Sequence, residues 1–182
     1  MAGIRELYTP ILGRPQIEAH TQLVIVTRQS TTTAALTPST KAQLVAQRAL
    51  KSRTDFGEFV RFVGGLKPAS HQSRLISKLQ NIGDRPEGKK LLIVMPPGAG
   101  KTTIVILFLA WMIGRYPSKH YGLFSYADQV GWERSRAIRD IIEHNRPYRL
   151  VFPEIVPNKS NWGVESFRGG SWGGFVRSSS VP

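Results

Sequence analysis

The sequence predicts an α/β fold in which a mostly parallel β-sheet is flanked by helices, with a helical segment at the N-terminus. An apolar run of strand type at 91–94 leads through a Gly/Pro turn into an apolar run of helix length at 104–113. Another strand-type run, at 121–126, precedes a further helical pattern. Repeated strand–helix units imply right-handed crossovers, and such crossovers bring successive strands into a parallel sheet.

The composition limits the classes of protein to consider. At 182 residues the chain has the length of about one domain and enough residues to bury a core. It contains no cysteine, so disulfides and thiolate metal sites are excluded. The longest apolar run, 104–113, is too short to cross a bilayer, and the first residues lack the pattern of a signal peptide. These features suit a cytoplasmic protein without a membrane partner.

The charge of the chain indicates a polyanionic partner, with nucleic acid as the leading candidate. The formal net charge is +13 and the sequence pI is about 10.6. A membrane surface, an acidic protein or a solvated surface without any partner are the alternatives. Basic residues are spread along the chain, which favours contact with a nucleic-acid backbone over sequence readout. They include Arg48, Lys51, Arg53, Arg61, Lys67, Arg74, Lys78, Lys89, Lys90, Arg134, Arg136 and Arg139.

The chain is predicted to have two parts, with a boundary near residue 53. Residues 1–53 form an N-terminal segment that is poorly ordered or helical. Within it, 23–26 has the composition of a short strand, and Ser39 or Thr40 can cap a helix that runs to about Lys51. Residues 54–182 carry the strand–helix units.

Two more helices are predicted before the first strand. Asp55 can cap a helix whose apolar residues recur at three- and four-residue spacing over 56–63, and a pair of glycines ends it. A third helix follows Pro68, with Gly83 as its stop.

The first strand is followed by a candidate phosphate loop, defined here as residues 95–103. Gly98 and Gly100 let the backbone curl so that its N–H groups face an anion, and the next helix adds its free N–H groups and positive dipole end. Lys101 would reach the β- and γ-phosphates of a nucleoside triphosphate, and the Thr102 hydroxyl would hold Mg²⁺. A Gly-Lys-Thr that arises by chance in a surface turn is the alternative, and the flanking strand and helix argue against it.

Beyond the loop, the predicted helix ends near Gly114, where a proline follows three residues later. Asp128 can cap another helix, from Gln129 to about His144. The pattern loosens beyond Pro147, and paired glycines within 162–176 indicate short antiparallel strands.

The usual burial of each residue type predicts whether four large side chains on these helices are buried or exposed. Phe108 and Trp111 are predicted to be core residues rather than stacking platforms. Arg136 and Arg139 are predicted to be solvated, with a trans-acting role on a neighbouring subunit's phosphates as the alternative.

One part of an ATP-hydrolysing site is missing from the sequence. Hydrolysis needs an apolar strand that ends in Asp, with a neighbouring carboxylate that activates water. After Lys101 there is no such run, because Glu143 follows a helical pattern and Glu154 follows a proline. The chain is therefore expected to bind ATP but to lack some of the residues that hydrolysis needs. Either the chain is a fragment, or an acidic residue that the sequence does not reveal takes the place of the missing one.

The motif series resembles one protein family. The usual spacing of a phosphate loop has a glycine at position 95, where this chain has Met95. The run Val94-Met95-Pro96-Pro97 before Gly100-Lys101-Thr102 resembles the phosphate loop of bacteriophage terminase large subunits, a family that also replaces this glycine. The resemblance covers roughly Asp55 to Pro182. Further similar positions are Pro68 with His71, Ala110-Trp111, Gly114-Arg115, Pro117, Ser125-Tyr126-Ala127, Ser135-Arg136, Arg139-Asp140, Phe152-Pro153 and Gly170-Ser171-Trp172.

The resemblance implies an ATP-driven motor that packages viral DNA into procapsids, with 54–182 as the front part of its P-loop ATPase domain. It implies ATP and Mg²⁺ as cofactors, Lys101 as the catalytic residue, Thr102 as the metal ligand and His71 near the adenine. The nucleotide-binding residues would be Pro97, Gly98, Ala99, Gly100, Lys101, Thr102, Thr103 and His71. Double-stranded DNA, the terminase small subunit, the portal protein and further copies of the chain would be partners, in the host cytoplasm.

Two departures from the family and two alternatives stay open. Many relatives carry an arginine where this chain has Gly98, and the family's acidic strand and nuclease domain lie beyond Pro182, so the chain is interpreted as truncated and its sheet as incomplete. A helicase or AAA-type ATPase fragment has a similar loop, but the Ser125-Tyr126 strand end and the glycine-rich tail disfavour it. A non-catalytic fragment that holds DNA or a partner through its basic surface needs no acidic strand.

Overall fold

The computed structural model describes residues 38–85, 89–163, 165–169 and 175–180. Within these ranges it contains six helices and four strands. The helices are α1 (Pro38–Thr54), α2 (Phe56–Phe62), α3 (Ser70–Asp84), α4 (Lys101–Arg115), α5 (Asp128–His144) and α6 (Arg146–Val151). The strands are β1 (His120–Ser125), β2 (Pro157–Trp162), β3 (Ser166–Gly169) and β4 (Phe175–Ser180). No helix in these ranges combines the length and the apolar character that a membrane crossing requires.

The four strands form one mixed sheet in the order β1-β4-β3-β2. The outer strand β1 pairs with β4 in parallel, whereas β4 with β3 and β3 with β2 are antiparallel. The fold is thus a mixture of helix and strand as predicted, and the short antiparallel strands near the C-terminus are present. A mostly parallel sheet is not seen in the described part of the chain.

The segment 91–94, which the sequence predicts to be the first strand, belongs to no strand ladder in the structure. Leu92 and Val94 are exposed, at 87% and 83%, while Ile93 and Met95 pack against the core. The side chains therefore alternate as they do in a strand with one buried face. A strand also needs a hydrogen-bonded neighbour, and the described residues supply none here.

The helix boundaries follow the local signals closely. The Asp55 side chain caps α2 by accepting a hydrogen bond from the Glu58 N–H at 2.9 Å. The other helices up to α4 begin and end within a few residues of the positions predicted from their caps and glycines. The possible strand at 23–26 lies outside the described residues.

Two features near α5 differ from the prediction. Ala127 is the N-cap of α5 and Asp128 is its first residue, where a carboxylate favours the positive end of the helix dipole. The short helix α6 was not predicted. Its cap is Asn145, whose side chain accepts a hydrogen bond from the Tyr148 N–H at 2.9 Å, and Pro147 fits the first turn because that position needs no N–H donor.

The core forms where α1, α2, α4 and α6 meet. Phe56, Phe59, Trp111 and Tyr148 are fully buried there, which confirms the core assignment of Trp111. Phe108 is half-buried and meets the Phe56 ring edge-on at 5.3 Å, so it too belongs to the core rather than to a stacking surface.

Two large aromatic side chains in this core have their polar atoms paired. The indole N–H of Trp111 donates to the carbonyl of Ser52 at 2.9 Å, and the Tyr148 hydroxyl donates to the carbonyl of Ala110 at 3.0 Å. These bonds satisfy groups that would otherwise cost about 1–3 kcal/mol each to bury. They fix α4 against α1 and α6, and thereby fix the helix that follows the candidate phosphate loop.

A polar contact ties the end of α3 to the end of α4. Arg115 donates to the Asp84 carboxylate at 2.8 Å, and the Tyr116 hydroxyl donates to the carbonyl of Gly83 at 2.9 Å. Gly83 lies against the Trp111 ring, where an added Cβ would come within 2.4 Å of it. The two helices are thereby held side by side, and the start of α3 lies next to the loop that precedes α4.

Candidate functional site

Residues 96–100 form a tight turn between the core-packed Met95 and α4. The Ala99 N–H donates to the carbonyl of Pro96 at 3.3 Å, which closes the turn. Gly98 and Gly100 have φ angles of +78° and +79°, in the left-handed region. Other residues pay about 1–2 kcal/mol to adopt that region, so both bends depend on glycine.

The turn ends at the N-terminus of α4, and no side chain caps this helix. The first backbone bond into the helix is from the Ile104 N–H to the carbonyl of Gly100, at 3.1 Å. The N–H groups of Gly100 and of residues 101–103 therefore have no acceptor within the helix. Together with the dipole, equivalent to about half a positive charge, they make this end suited to an anion.

Lys101 adds a full positive charge to this helix end. Its side chain is half-buried, and its ammonium group donates to the carbonyl of Met95 at 3.3 Å. That distance is long for a hydrogen bond to oxygen, so the bond is weak. The ammonium group therefore lies back over the loop and can exchange a weak backbone partner for a phosphate oxygen.

Thr102 and Thr103 are exposed in the first turn of α4. A threonine hydroxyl at this position suits Mg²⁺, which keeps several waters and takes few ligands from the protein. In the part of the chain that the structure describes, no group of three or more His, Asp or Glu residues could hold a metal by itself. A metal here would therefore depend on ligand oxygens in addition to Thr102.

Sequence reasoning missed Gln72, which contacts the loop directly. Its side-chain N–H donates to the carbonyl of Ala99 at 3.1 Å, while its side-chain oxygen accepts from the Ala69 N–H at 3.0 Å. The available signal was its position, the third residue of a helix that follows Pro68, where Gln often caps the preceding N–H. Its second contact, with the loop, is not encoded locally.

His71 lies in a groove of about 530 Å³ between α3 and the segment 91–95, called here the α3 groove. One wall carries His71, Arg74 and Lys78, and the other wall is apolar. The groove reaches Met95, the first residue of the candidate phosphate loop. The structure thus places His71 beside the approach to the loop, and its neighbour Gln72 at the loop itself.

The prediction for Arg139 was wrong. Its side chain is half-buried between α5 and the sheet, and its guanidinium group donates to the carbonyl of Trp162. The Trp162 indole in turn donates to Glu143 at 2.9 Å. Arg136, by contrast, is exposed as predicted. The difference is that Arg139 reaches the last residue of β2, whereas Arg136 stays exposed.

The structure brings most of the predicted site residues into one place. Residues 97–100 form the turn, and 101–103 form the first turn of α4. His71 stands apart in the α3 groove. No protein-family model matches this sequence, and neither a curated protein nor a solved structure matches it.

Proposed function

We propose that the phosphate loop binds the triphosphate of ATP, in complex with Mg²⁺, and that the chain is the ATP-binding part of a DNA-packaging motor of the terminase large-subunit type. The observation that carries the binding proposal is the uncapped start of α4 after two left-handed glycines, with the Lys101 ammonium group folded over it. Free N–H groups, a helix dipole and a weakly bonded ammonium group at one point favour a polyanionic phosphate tail.

Each loop residue has a role in this proposal. The backbone of Pro97, Gly98 and Ala99 forms the bend, and the N–H groups of residues 100–103 donate to phosphate oxygens. Lys101 neutralises charge on the β- and γ-phosphates, and the Thr102 hydroxyl is the one protein ligand to Mg²⁺. The metal ion would neutralise phosphate charge when bound.

The α3 groove offers space for the nucleoside next to the loop. His71 lies on its wall, and the other wall is lined by the apolar residues 91–95. An apolar wall opposite the imidazole ring of His71 suits a planar base, because the ring also offers polar nitrogen atoms. This arrangement supports the proposal that His71 lies near the adenine.

The motor function rests on the motif series described above together with the net charge of +13. We propose that the assembled motor couples ATP hydrolysis to movement of double-stranded DNA, which it holds by the backbone, and that it works as a homo-oligomer with a small subunit and a portal protein at the procapsid. Each described strand after Lys101 ends at a residue other than Asp or Glu. Binding of ATP with little turnover is therefore the behaviour proposed for this chain by itself.

The test is a calorimetric titration of the full chain with Mg-ATP, repeated with the Lys101→Ala variant. A hydrogen bond to a charged group contributes about 1.5–3 kcal/mol, so the variant should bind at least about ten-fold more weakly. Lys159→Ala removes the same charge from an exposed position in β2 and should leave the affinity unchanged. Equal affinity in the wild type and Lys101→Ala would overturn the assignment of the loop.

A further inference from the structure

We infer that Gln72 is a positioning residue of the phosphate loop: its side-chain amide sets the orientation of the peptide between Ala99 and Gly100. This inference rests on the proposed binding of a triphosphate at the loop, and it adds a residue from another helix to that site. Gln72 lies on α3, 27 positions before Ala99, and is the described side chain that donates to a loop carbonyl from outside the loop.

The two partners of Gln72 determine which way its amide faces. The Ala69 N–H can only donate, and the Ala99 carbonyl can only accept. The side-chain oxygen must therefore face Ala69, at 3.0 Å, and the side-chain nitrogen must face Ala99, at 3.1 Å. The amide thus bridges the start of α3 to the loop, with one hydrogen bond on each side.

The bond to Ala99 has a geometric consequence for Gly100. The Ala99 carbonyl and the Gly100 N–H belong to one planar trans peptide, in which the two groups point in opposite directions. Because the carbonyl is held toward α3, the Gly100 N–H must point away from α3. This N–H is the first of the free donors at the start of α4, so Gln72 fixes the direction of one donor in the candidate phosphate site.

Gly100 is also the residue that leaves room for Gln72. A Cβ on Gly100 would lie 2.5 Å from the side-chain nitrogen of Gln72, closer than real contacts allow. The φ angle of +79° itself favours glycine, and a side chain at residue 100 would displace the end of the flexible Gln72 side chain from its bond to Ala99. The left-handed bend and the approach of Gln72 are parts of one arrangement.

The helix that carries Gln72 is firmly held. Leu75, Ile76 and Leu79 of α3 are buried in the core. Two turns beyond Gln72, Gln80 makes a similar bridge: its oxygen accepts from the Phe56 N–H at 2.6 Å and its nitrogen donates to the carbonyl of Thr54 at 2.9 Å. Gln80 has the same chemistry on the same helix, but its partners are Thr54, Phe56 and the Asp84 carboxylate instead of the loop, and it is therefore a matched control.

The experiment compares three variants of the full chain with the wild type. Gln72→Met keeps the length of the side chain and removes both hydrogen bonds. Gln72→Glu keeps the acceptor for the Ala69 N–H and removes only the donor to Ala99, so α3 stays capped. Gln80→Met removes the control bridge. Each variant is measured by amide ¹H–¹⁵N NMR without nucleotide, by thermal unfolding and by titration with Mg-ATP.

We expect both Gln72 variants to shift the Gly100 amide resonance. We expect Gln72→Met to weaken binding of Mg-ATP about five-fold, since the loop loses its one neutral hydrogen bond from α3. For Gln72→Glu the added negative charge would weaken binding further, so the affinity of Gln72→Met is the cleaner value. Gln80→Met should lower the unfolding midpoint while the Gly100 resonance and the affinity stay as in the wild type. The Gly100 resonance separates a positioning role from a merely stabilising one.

An unchanged Gly100 resonance in both Gln72 variants, or wild-type affinity in Gln72→Met, would overturn the inference. A wild type that does not bind Mg-ATP would overturn the proposed function. In that case the Gly100 resonance would still decide whether Gln72 orients the peptide. The two failures are therefore distinguishable.

Discussion

Met95 stands where phosphate loops usually have a glycine, and its surroundings explain why a large side chain is accepted. The side chain packs against the core, and the carbonyl accepts the hydrogen bond from Lys101. Positive φ angles occur at Gly98 and Gly100 instead. The loop therefore needs glycine at its two left-handed bends, whereas residue 95 needs an apolar side chain that anchors the loop to the core.

Asp84 gives a pH-dependent prediction for the contact that holds α3 against α4. Burial by itself raises the pKa of the Asp84 carboxyl, but hydrogen bonds from Gln80 and Arg115, with the charges of Arg115 and Lys89, bring the pKa below its ordinary value of 3.8. The ionised form thus favours the folded state. This stabilisation is fully present above the ordinary pKa and is lost as the pH falls through the lowered pKa.

We expect Asp84→Asn to lower the thermal midpoint by about 1–3 °C at pH 7, a modest effect because the carboxylate is half exposed. The difference between the variant and the wild type should disappear as the pH is lowered well below 3.8, the ordinary value. Asp140→Asn, at an exposed carboxylate on α5, is the control and should change the midpoint less. A difference that stays constant from neutral to acid pH would contradict the assignment.

At the scale of elements, helices were predictable because their signals are local. The Asp55 cap, the glycines after α2 and the start of α4 after the loop are all encoded within a few residues of where they act. The turn of the candidate phosphate loop was predictable for the same reason, since its glycines, lysine and threonine are contiguous. Local chemistry was sufficient in each case.

Pairing of strands was less predictable because it depends on distant residues. The side chains at 91–94 alternate as they do in a strand. Whether this segment joins a sheet depends on a hydrogen-bonded neighbouring strand, which the local sequence does not specify. β4 joins β1 in parallel and then pairs with β3 in the opposite sense, so the sheet is mixed. Strand order is a property of the whole sheet, and a run of apolar residues does not specify it.

Polar residues with distant partners were missed for a related reason. The side chains of Gln72 and Arg139 each donate to a backbone carbonyl more than 20 positions away. Their own sequence neighbourhoods predict only a cap and a solvated helix face. The additional residue of the site, Gln72, becomes visible only when α3 and the loop are brought together.

For the molecule as a whole, the net charge of +13 carries the proposal of contact with a DNA backbone. We expect the chain to bind duplex DNA with an affinity that falls steeply as salt is added, with a slope of about −0.9 in log affinity per neutralised phosphate. Duplexes of equal length and shuffled sequence should bind alike, because backbone contacts carry no sequence information. Affinity that is insensitive to salt, or strong preference for one sequence, would contradict this proposal.

The most direct test of the account is an amide ¹H–¹⁵N NMR titration of the full chain with Mg-ATP. The account predicts that the largest shifts appear at the amides of residues 98–103, since these N–H groups would face the phosphates. Another surface cavity, of about 630 Å³, lies between α5, α6 and β2 and includes Ile142, Arg149 and Lys159. Shifts confined to that cavity, or no shifts at millimolar Mg-ATP, would contradict the binding of a triphosphate at the loop.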